Sequence, residues 1–492
     1  MNILLVNPET PATFWSFKDA LSFISKRASD IPLGLLTVAG MLPEEWNKRF
    51  VDMNVAKLKD KDLLWADYVF LSGMNVQALS MKQVIKRCNE LDVKIVAGGP
   101  LMTTNYKEFL GVDHYILNEA EITLPMFLQD LENGCAKEVY SSDQFPDISQ
   151  TPPPQWHLLD MKKYAGMNIQ YSRGCPFNCD FCSITMLNGQ KPRCKSPEQF
   201  LAELESLYET GWRGGVFIVD DNFIGNKRKL KTELLPALIE WSQQHGYPFR
   251  FTTEASINLA DDDDLLQLMV KAGFNHTFIG IETPNETSLG ECGKSQNQRR
   301  DMVAAVKKLQ RHGLVVSGGF IVGFDNDPPN IFEQQIRFIQ QSGIVTAMVG
   351  MLNAPTGTRL FDRLKNENRL LNTMSGDNMD GSMNFVPKMP YQQLLRGYQN
   401  ILSSIYSQKG FYERVKIFLQ EYQIPVALNG NITFNDFRAL LRSIWRLGIL
   451  EKGRLYYWRL LGHSLIHYPS KFSMAVTMAI YGFHFRRVVD KV

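Results

Sequence analysis

The sequence predicts an α/β protein with two successive parallel sheets and a helical C-terminal region. Two sets of buried β runs alternate with amphipathic helical stretches, which is the pattern of parallel sheets with helices on their faces. From about Tyr391 the strand patterns stop, and aromatic-rich helical sequence continues to the end. The chain has 492 residues, 44% of them hydrophobic and 21% charged. That length predicts about three globular domains of roughly 150 residues each.

The first set of β runs predicts a Rossmann-like, doubly wound sheet. The runs occupy residues 3–7, 49–53, 68–72, 94–97 and 114–117. Residues 80–91 lie between two of them and have a helical apolar face. Ligands of such sheets bind beyond the carboxyl ends of the strands. No G-x-G-x-x-G motif opens the first helix, so a dinucleotide ligand is disfavoured.

Residues 136–165 break this pattern and predict a linker. Pro146 and the run from Thr151 to Pro154 favour an extended, polyproline-like backbone. The predicted domains are therefore 1–135, a second α/β domain at 166–385 and a helical domain at 386–492.

The second set of β runs predicts a partial TIM-like barrel of about six β/α units, with its chemistry at the carboxyl ends of the strands. The β runs are 167–171, 215–219, 249–253, 277–281, 315–322 and 345–350. The helical stretches between and after them are 197–210, 229–244, 262–272, 299–312 and 331–342.

Three cysteines lie on the loop that leaves the first of these runs. Cys175, Cys179 and Cys182 have the spacing C-x3-C-x2-C, with Phe181 directly before the third. Iron–sulfur clusters are held by cysteine thiolates, usually four for a 4Fe–4S cluster, so three leave one iron open. The spacing therefore predicts a cluster-binding loop whose open iron can bind a substrate.

Two other interpretations of these cysteines explain less. Structural zinc takes four ligands, commonly two C-x2-C pairs or C-x2-C with H-x3-H, and no such partner lies at a suitable spacing. A redox C-x-x-C motif would account for Cys179 and Cys182 but would not explain Cys175. The other cysteines are scattered, which implies no disulfide framework and fits a reducing cytoplasm.

The cysteine loop resembles the cluster loop of the radical S-adenosylmethionine (SAM) superfamily. There, SAM chelates the open iron, and one electron from the cluster cleaves it to a 5′-deoxyadenosyl radical. The resemblance implies that Phe181 and the polar residues ending the predicted strands bind SAM, which needs carboxylate and amide partners. Those polar residues are Asp220, Asp221, Asn222, Glu254 and Glu282, with Lys294 as a further candidate.

The first domain resembles the cobalamin-binding domain that precedes the radical SAM core in one large class. The likeness rests on residues 32–36 and on the loops beyond the predicted strands. It implies cobalamin contacts from Ser72, Gly73, Gly98, Gly99 and Glu119. Many cobalamin domains bind cobalt through a histidine, yet residues 1–113 contain none. A histidine lower ligand from the loop after the first strand is therefore not expected.

The whole chain resembles cobalamin-dependent (class B) radical SAM methyltransferases with a helical C-terminal domain, including bacteriochlorophyllide side-chain methylases and hopanoid C-2 methylases. Residues 13–16, 32–37 and 170–175 carry this likeness. It implies a C-methyltransferase that uses a 4Fe–4S cluster, SAM, cobalamin and an external one-electron reductant to methylate an unactivated carbon of a hydrophobic substrate. No protein side chain is expected to act as nucleophile or general base.

Several substrates and roles stay open at this point. The loop at 72–77 differs from what is expected of hopanoid methylases, which favours a bacteriochlorophyllide (tetrapyrrole) side chain in pigment biosynthesis. The alternatives are hopanoid C-2 methylation, an anaerobic radical SAM cyclase of tetrapyrrole synthesis, and a non-enzymatic cobalamin-binding sensor. The intact cysteine triplet disfavours the sensor, because a sensor has no use for an open iron.

Charge and the chain ends give expectations about partners and location. A net charge of +2 argues against nucleic acid, and the N-terminus lacks the features of a signal peptide, so a cytoplasmic protein is expected. Arg438, Arg442 and Arg446 share one predicted helix face in a basic, aromatic tail. This tail favours peripheral contact with the anionic inner membrane or a cap over the substrate cavity, with an ordinary solvated basic face as the alternative.

Overall fold

The computed structural model describes residues 1–371, 374–425 and 434–491. Two six-stranded parallel sheets, one two-stranded ribbon and a C-terminal set of helices form this part of the chain. The predicted α/β class is confirmed. The strands are β1 (Asn2–Asn7), β2 (Asn47–Asp52), β3 (Tyr68–Ser72), β4 (Lys94–Gly98), β5 (His114–Ile116), β6 (Val139–Tyr140), β7 (Gly166–Ile169), β8 (Ser172–Arg173), β9 (Arg193–Cys194), β10 (Gly214–Ile218), β11 (Phe249–Ala255), β12 (Phe274–Glu282), β13 (Val315–Val322) and β14 (Ala347–Met351).

The α-helices alternate with these strands and then continue alone. They are α1 (Lys18–Leu21), α2 (Leu33–Met41), α3 (Asp60–Leu63), α4 (Ala78–Glu90), α5 (Gly99–Asn105), α6 (Ala120–Glu132), α7 (Ile184–Asn188), α8 (Pro197–Glu209), α9 (Lys227–Lys229), α10 (Leu235–Gln244), α11 (Asp263–Ala272), α12 (Glu286–Glu291), α13 (Met302–Arg311), α14 (Ile331–Ser342), α15 (Arg359–Asn366), α16 (Tyr391–Ile405), α17 (Gln408–Glu421), α18 (Phe434–Ser443), α19 (Arg454–His467) and α20 (Phe472–Val489). Two π-helical stretches, Leu230–Leu234 and Ile444–Leu450, continue into or out of these helices.

The first sheet has the strand order β2-β1-β3-β4-β5-β6, and all its neighbouring strands are parallel. Residues Ile3 to Val6 of β1 are fully buried, as expected of a strand covered by helices on both faces. The sheet has one strand more than the sequence predicted. The short β6 lies within the predicted linker at 136–165, where the amide of Leu117 donates to the carbonyl of Tyr140 at 2.9 Å.

The second sheet has the order β14-β13-β12-β11-β10-β7 and curls into a half-barrel, as predicted. All five strand pairs are parallel. Along β12 the residues Phe274, Thr277, Ile279, Ile281 and Glu282 are buried, while the residues between them are partly exposed. The carboxyl ends of these strands surround the cysteine loop, which begins directly after β7.

The C-terminal helices pack against the barrel around a buried arginine. Arg414 donates to the carbonyl of Ile405 at 2.7 Å and to the carbonyl of Val345, which precedes β14, at 3.3 Å. Its guanidinium also lies against the rings of Tyr406 and Phe411. Burial lowers the pKa of Arg414 to about 10. These bonds join the helical domain to the barrel.

The segment 13–31 lies between the barrel and the C-terminal helices. Phe14 stacks on Phe485 of α20 with ring centroids 4.3 Å apart. Arg442 donates to the carbonyls of Ser22 and Phe23 at 3.1 and 3.0 Å, and Arg446 donates to the Ser22 hydroxyl at 2.5 Å. Arg438, Arg442 and Arg446 were predicted to share one helix face that contacts a membrane, but Arg442 and Arg446 bind this segment instead.

Candidate active site

The cysteine loop is held in place by Asp220, which ends the strand next to β7. The Asp220 carboxylate accepts hydrogen bonds from the amides of Tyr171 and Ser172, both at 2.8 Å, and from the Ser172 hydroxyl at 2.6 Å. Burial raises the pKa of Asp220 to about 7, although these hydrogen bonds oppose the rise. Both carboxylate oxygens are thus used by the loop, so Asp220 positions the loop instead of offering a free oxygen to SAM.

Asp221 supports the next turn of the same loop. It accepts from the amide of Gly174 at 2.7 Å and from the side-chain amide of Asn188 at 3.0 Å. Gly174 has φ +99°, and a β-carbon there would lie 2.9 Å from the carbonyl oxygens of Asn188 and Gly189. Only glycine fits this position, so the residue before Cys175 is fixed by backbone geometry.

The three cysteines follow on this supported loop as free thiols. Cys179 is buried, and the Asn222 side-chain nitrogen lies 3.9 Å from the Cys175 sulfur. Among the described residues, no three histidine, cysteine or acidic side chains converge on one point as the ligands of a single metal ion do. A 4Fe–4S cluster needs three thiolates on one short loop when one iron is left open, which is what Cys175, Cys179 and Cys182 provide.

A buried ion pair lies beside the cysteines. The Lys294 ammonium is 2.6 Å from a Glu282 carboxylate oxygen at the end of β12. A β-carbon at Gly280 would lie 2.4 Å from that oxygen and 2.8 Å from the Lys294 nitrogen, so glycine makes room for the pair. Burial lowers the pKa of Lys294, but the Glu282 carboxylate and the Cys179 thiol outweigh burial and raise it. The ammonium therefore places a positive charge near the thiolates.

Glu254 differs from the other acids of the site. Glu254 is the second-last residue of β11 and makes no hydrogen bond to another described residue. Burial, and next the nearby Asp221 carboxylate, raise the pKa of Glu254 to about 7, while Lys294 lowers it. Its carboxyl group therefore has hydrogen-bonding capacity to spare for a ligand.

Four charged side chains connect the first domain to the cysteine loop. Arg173, at the start of the loop, forms ion pairs with Glu119 and, at 2.9 Å, with Glu121 of α6. Arg193 of β9 pairs with Glu119 at 2.8 Å and donates to the carbonyl of Pro146 at 2.8 Å. Glu119 was predicted to contact cobalamin, but its carboxylate is engaged by these two guanidinium groups. The sequence analysis missed Arg193 and the pairing of Arg173, because the partners are more than 50 residues apart.

The predicted cobalamin-contacting glycines lie at the carboxyl edge of the first sheet. Gly99 has φ +83°, and a β-carbon there would lie 2.2 Å from the Ser72 hydroxyl. A β-carbon at Gly98 would lie 2.7 Å from the carbonyl of Ile116. These glycines let the ends of β3, β4 and β5 approach each other closely. Beside them, the Met74 side chain is 60% exposed, which leaves apolar surface at this edge.

Aromatic rings lie along β12, before the strand reaches Glu282. Trp15 packs edge-on against Phe278 of β12 with ring centroids 5.5 Å apart, and the nearby Phe17 lies 5.2 Å from Tyr481 of α20. We call these four rings the aromatic wall. Deeper along β12, the His276 ring lies 2.7 Å from the Ser317 hydroxyl. Burial lowers the pKa of His276 to about 4, so this imidazole is neutral at physiological pH.

Three parts of the chain match known families. Residues 26–128 match the B12 binding domain, residues 169–339 the Radical SAM superfamily, and residues 358–492 a domain of unknown function, DUF4070. An uncharacterized methyltransferase of Synechocystis sp. is 40% identical over 497 residues, covering 99% of this chain and 91% of the relative. The hopanoid C-2 methylase of Rhodopseudomonas palustris is 33% identical over 481 residues, covering 94% and 89%.

The chain belongs to the cobalamin-dependent radical SAM methyltransferases. Two solved structures share its fold. The cobalamin-dependent radical SAM enzyme OxsB with aqua-cobalamin bound has a TM-score of 0.62 at 15% identity, covering 100% of this chain and 80% of that one. The methyltransferase TsrM of Kitasatospora setae, with cobalamin and a 4Fe–4S cluster bound, has a TM-score of 0.62 at 13% identity, covering 96% and 99%.

The cofactors of this methyltransferase are a 4Fe–4S cluster, SAM and cobalamin. The cysteine loop, with Lys294 beside it and an uncommitted Glu254 next to it, fits a cluster with SAM on its open iron. The carboxyl edge of the first sheet, held against the cysteine loop by the Glu119–Arg173 pair, fits cobalamin. Direct contacts of Phe181, Asp221, Asn222, Glu254 and Glu282 with SAM stay predictions. The contacts of Ser72, Gly73, Gly98, Gly99 and Glu119 with cobalamin stay predictions too.

Proposed function

We propose that this methyltransferase adds a methyl group to an unactivated carbon of an apolar polycyclic lipid, with a hopanoid as the best candidate. The observation that carries the proposal is the extent of similarity. The hopanoid C-2 methylase is 33% identical over 94% of the chain, whereas the bacteriochlorophyllide d C-12(1)-methyltransferase of Chlorobaculum tepidum is 24% identical over 74%. The loop at 72–77 differs from what is expected of hopanoid methylases, which favoured a tetrapyrrole. We give the similarity along the whole chain more weight than this one loop.

The barrel interior supports an apolar substrate. Trp15 and Phe278 pack against each other at β12, Phe17 and Tyr481 continue this aromatic wall, and the His276 ring of the same strand is neutral.

The tasks of the protein side chains follow from the geometry. Once bound, the cluster, SAM and cobalamin supply radical generation and the methyl group. Asp220 and Asp221 hold the loop that carries the cluster, and the Glu119–Arg173–Arg193 contacts hold the cobalamin domain against it. The aromatic wall excludes water and orients the substrate carbon. Such positioning by a rigid scaffold is the main protein contribution to a reaction whose chemistry lies in its cofactors.

The proposal is tested by product mass. The reconstituted protein is incubated anaerobically with SAM, a one-electron reductant and either an unmethylated hopanoid or a bacteriochlorophyllide. We expect a hopanoid product heavier by one CH2, and none with the Cys179→Ala control. A methylated tetrapyrrole without a methylated hopanoid would overturn the substrate assignment. A tetrapyrrole with a new ring and no added CH2 would indicate the cyclase alternative.

A further inference from the structure

The C-terminal domain presents a continuous apolar surface to solvent, which we call the docking surface. Large apolar side chains on one side of α18, the following π-helical stretch and α19 are exposed, including Trp445 at 59%, Leu455 at 67% and Ile466 at 76%. The docking surface consists of Phe437, Leu441, Trp445, Ile449, Leu450, Leu455, Trp458, Leu465 and Ile466.

Helical spacing places these residues on one side. Phe437, Leu441, Trp445 and Ile449 recur at every fourth position, while Ala439 and Leu447 between them are buried against the domain. On α19 the residues Tyr457, Leu460, Leu461 and Ser464 are buried, whereas Leu455, Trp458, Leu465 and Ile466 are exposed. The two helices are joined across the surface, because the Trp458 indole donates to the carbonyl of Gly448 at 2.9 Å.

The charges around the docking surface are mostly positive. Residues 436–492 contain ten lysines and arginines and only three acids. Arg438, Lys452, Arg454 and Arg459 are exposed and lie on or next to the two helices, whereas Arg442 and Arg446 are used inside the molecule. An exposed apolar stripe with tryptophans and a basic border is typical of helices that lie in the interface of an anionic membrane.

We propose that the docking surface binds the methyltransferase to an anionic membrane, with α18 and α19 lying in the plane of the interface. Among the described residues, no helix has the length and apolar character that spanning a bilayer requires. A contiguous exposed apolar patch of this kind is otherwise a liability in water. The positive border selects a membrane over a second copy of the chain, because two copies would bring like charges together.

The α20 helix links the docking surface to the aromatic wall. The α20 helix, which packs on α18 and α19, carries Tyr481 against Phe17 and Phe485 against Phe14. A membrane-bound enzyme would therefore hold its barrel close to the lipid phase in which an apolar substrate dissolves. The docking proposal itself rests on the surface and holds for any apolar substrate.

The test is co-sedimentation of the full-length protein with vesicles of phosphatidylglycerol or of phosphatidylcholine at low salt. The apolar variant is Trp445→Ala/Leu455→Ala/Ile466→Ala, and the charge variant is Lys452→Gln/Arg454→Gln/Arg459→Gln. The control is Leu64→Ala/Leu110→Ala/Met126→Ala, which removes exposed apolar side chains from the first domain. We expect wild type and control to sediment with phosphatidylglycerol vesicles.

The apolar variant should lose at least tenfold in partitioning, because each exposed side chain contributes buried area in the membrane. Partitioning of the charge variant into the vesicles should fall about 100-fold at low salt, which is about tenfold or less for each basic residue. Added salt should abolish the difference in partitioning between the charge variant and wild type.

Wild type that does not sediment at low salt would overturn the proposal. A wild-type dimer in solution that the apolar variant dissociates would overturn it too, in favour of a subunit interface. Hopanoid methylation in detergent is measured separately, so either proposal can fail without the other.

Discussion

The cysteine triplet is a residue-scale feature that sequence spacing alone located. C-x3-C-x2-C is informative because a cluster with one open iron needs three thiolates on one short loop. The structure adds what the spacing could not give, namely that Asp220 and Asp221 hold the loop from the end of the neighbouring strand. The sequence placed these acids near the site but could not tell a loop support from a SAM ligand.

Replacing any of the three loop cysteines should abolish cluster binding. Cys175→Ala, Cys179→Ala and Cys182→Ala each leave two thiolates, which cannot hold a cluster with one unique iron. Iron content and 5′-deoxyadenosine formation after anaerobic reconstitution measure this. Cys135→Ala is the matched control, because Cys135 is exposed and lies outside the loop. Full iron content in any loop variant would contradict the assignment.

His276 should make the protein less stable in acid. Burial lowers its pKa to about 4, whereas an unfolded chain has a histidine pKa of about 6.5. The unfolded state therefore binds a proton more readily between these values, and stability falls as pH falls from about 6.5 to 4. His276→Asn keeps a polar partner for Ser317 and removes the titration. The free energy of unfolding, measured with urea, should fall between pH 6.5 and pH 4.5 in both proteins. This fall should be smaller in the variant by about 2 kcal/mol. Equal losses in both proteins would contradict this account.

At the scale of elements, the sequence predicted long periodic segments well and short ones poorly. The strand at 315–322 and the helix at 331–342 have the predicted bounds, because each is long enough to show a clear pattern of apolar residues. The two-residue strand β6 was assigned to a linker because two residues carry no period. The pairs Trp15–Phe278 and Arg173–Glu121 join distant parts of the chain, and no local pattern reports such contacts.

The ion pairs between α6 and the cysteine loop should couple two elements of different domains. Glu121→Gln leaves the buried Arg173 guanidinium with one carboxylate fewer, at a cost of about 3 kcal/mol for a pair whose side chains are only 15% and 8% exposed. Hydrogen exchange of the amides in residues 118–123 and 172–174 should therefore speed up about 100-fold. Cobalamin retention on gel filtration should fall in parallel.

The control for this coupling is Glu90→Gln. Glu90 pairs with Lys86 at 3.7 Å, but both side chains are mostly exposed, at 60% and 77%. Exposed pairs contribute little to stability, so exchange rates should stay within about twofold of wild type. The coupling would be disproved if Glu121→Gln behaved like this control.

At the scale of the whole molecule, the chain start and the chain end pack together. The segment 13–31 lies between the barrel and α20, so three parts of the chain share one hydrophobic core. Sequence analysis found residues 13–16 only as part of a family likeness. The reason is physical, since the segment has neither helical nor strand periodicity and its role is defined by partners more than 260 residues away.

Phe14→Ala should therefore loosen the C-terminal domain from the rest of the protein. Phe14 is 1% exposed and stacks on Phe485, and removing a buried phenylalanine ring costs about 3–5 kcal/mol. We expect the first thermal transition to move down by several degrees and trypsin to cleave the folded variant faster than wild type. Phe145→Ala, at a ring that is 46% exposed, is the control and should change neither. If Phe14→Ala lowered methylation with an unchanged melting curve, Phe14 would act on the substrate side of the barrel and not as the contact that closes the molecule.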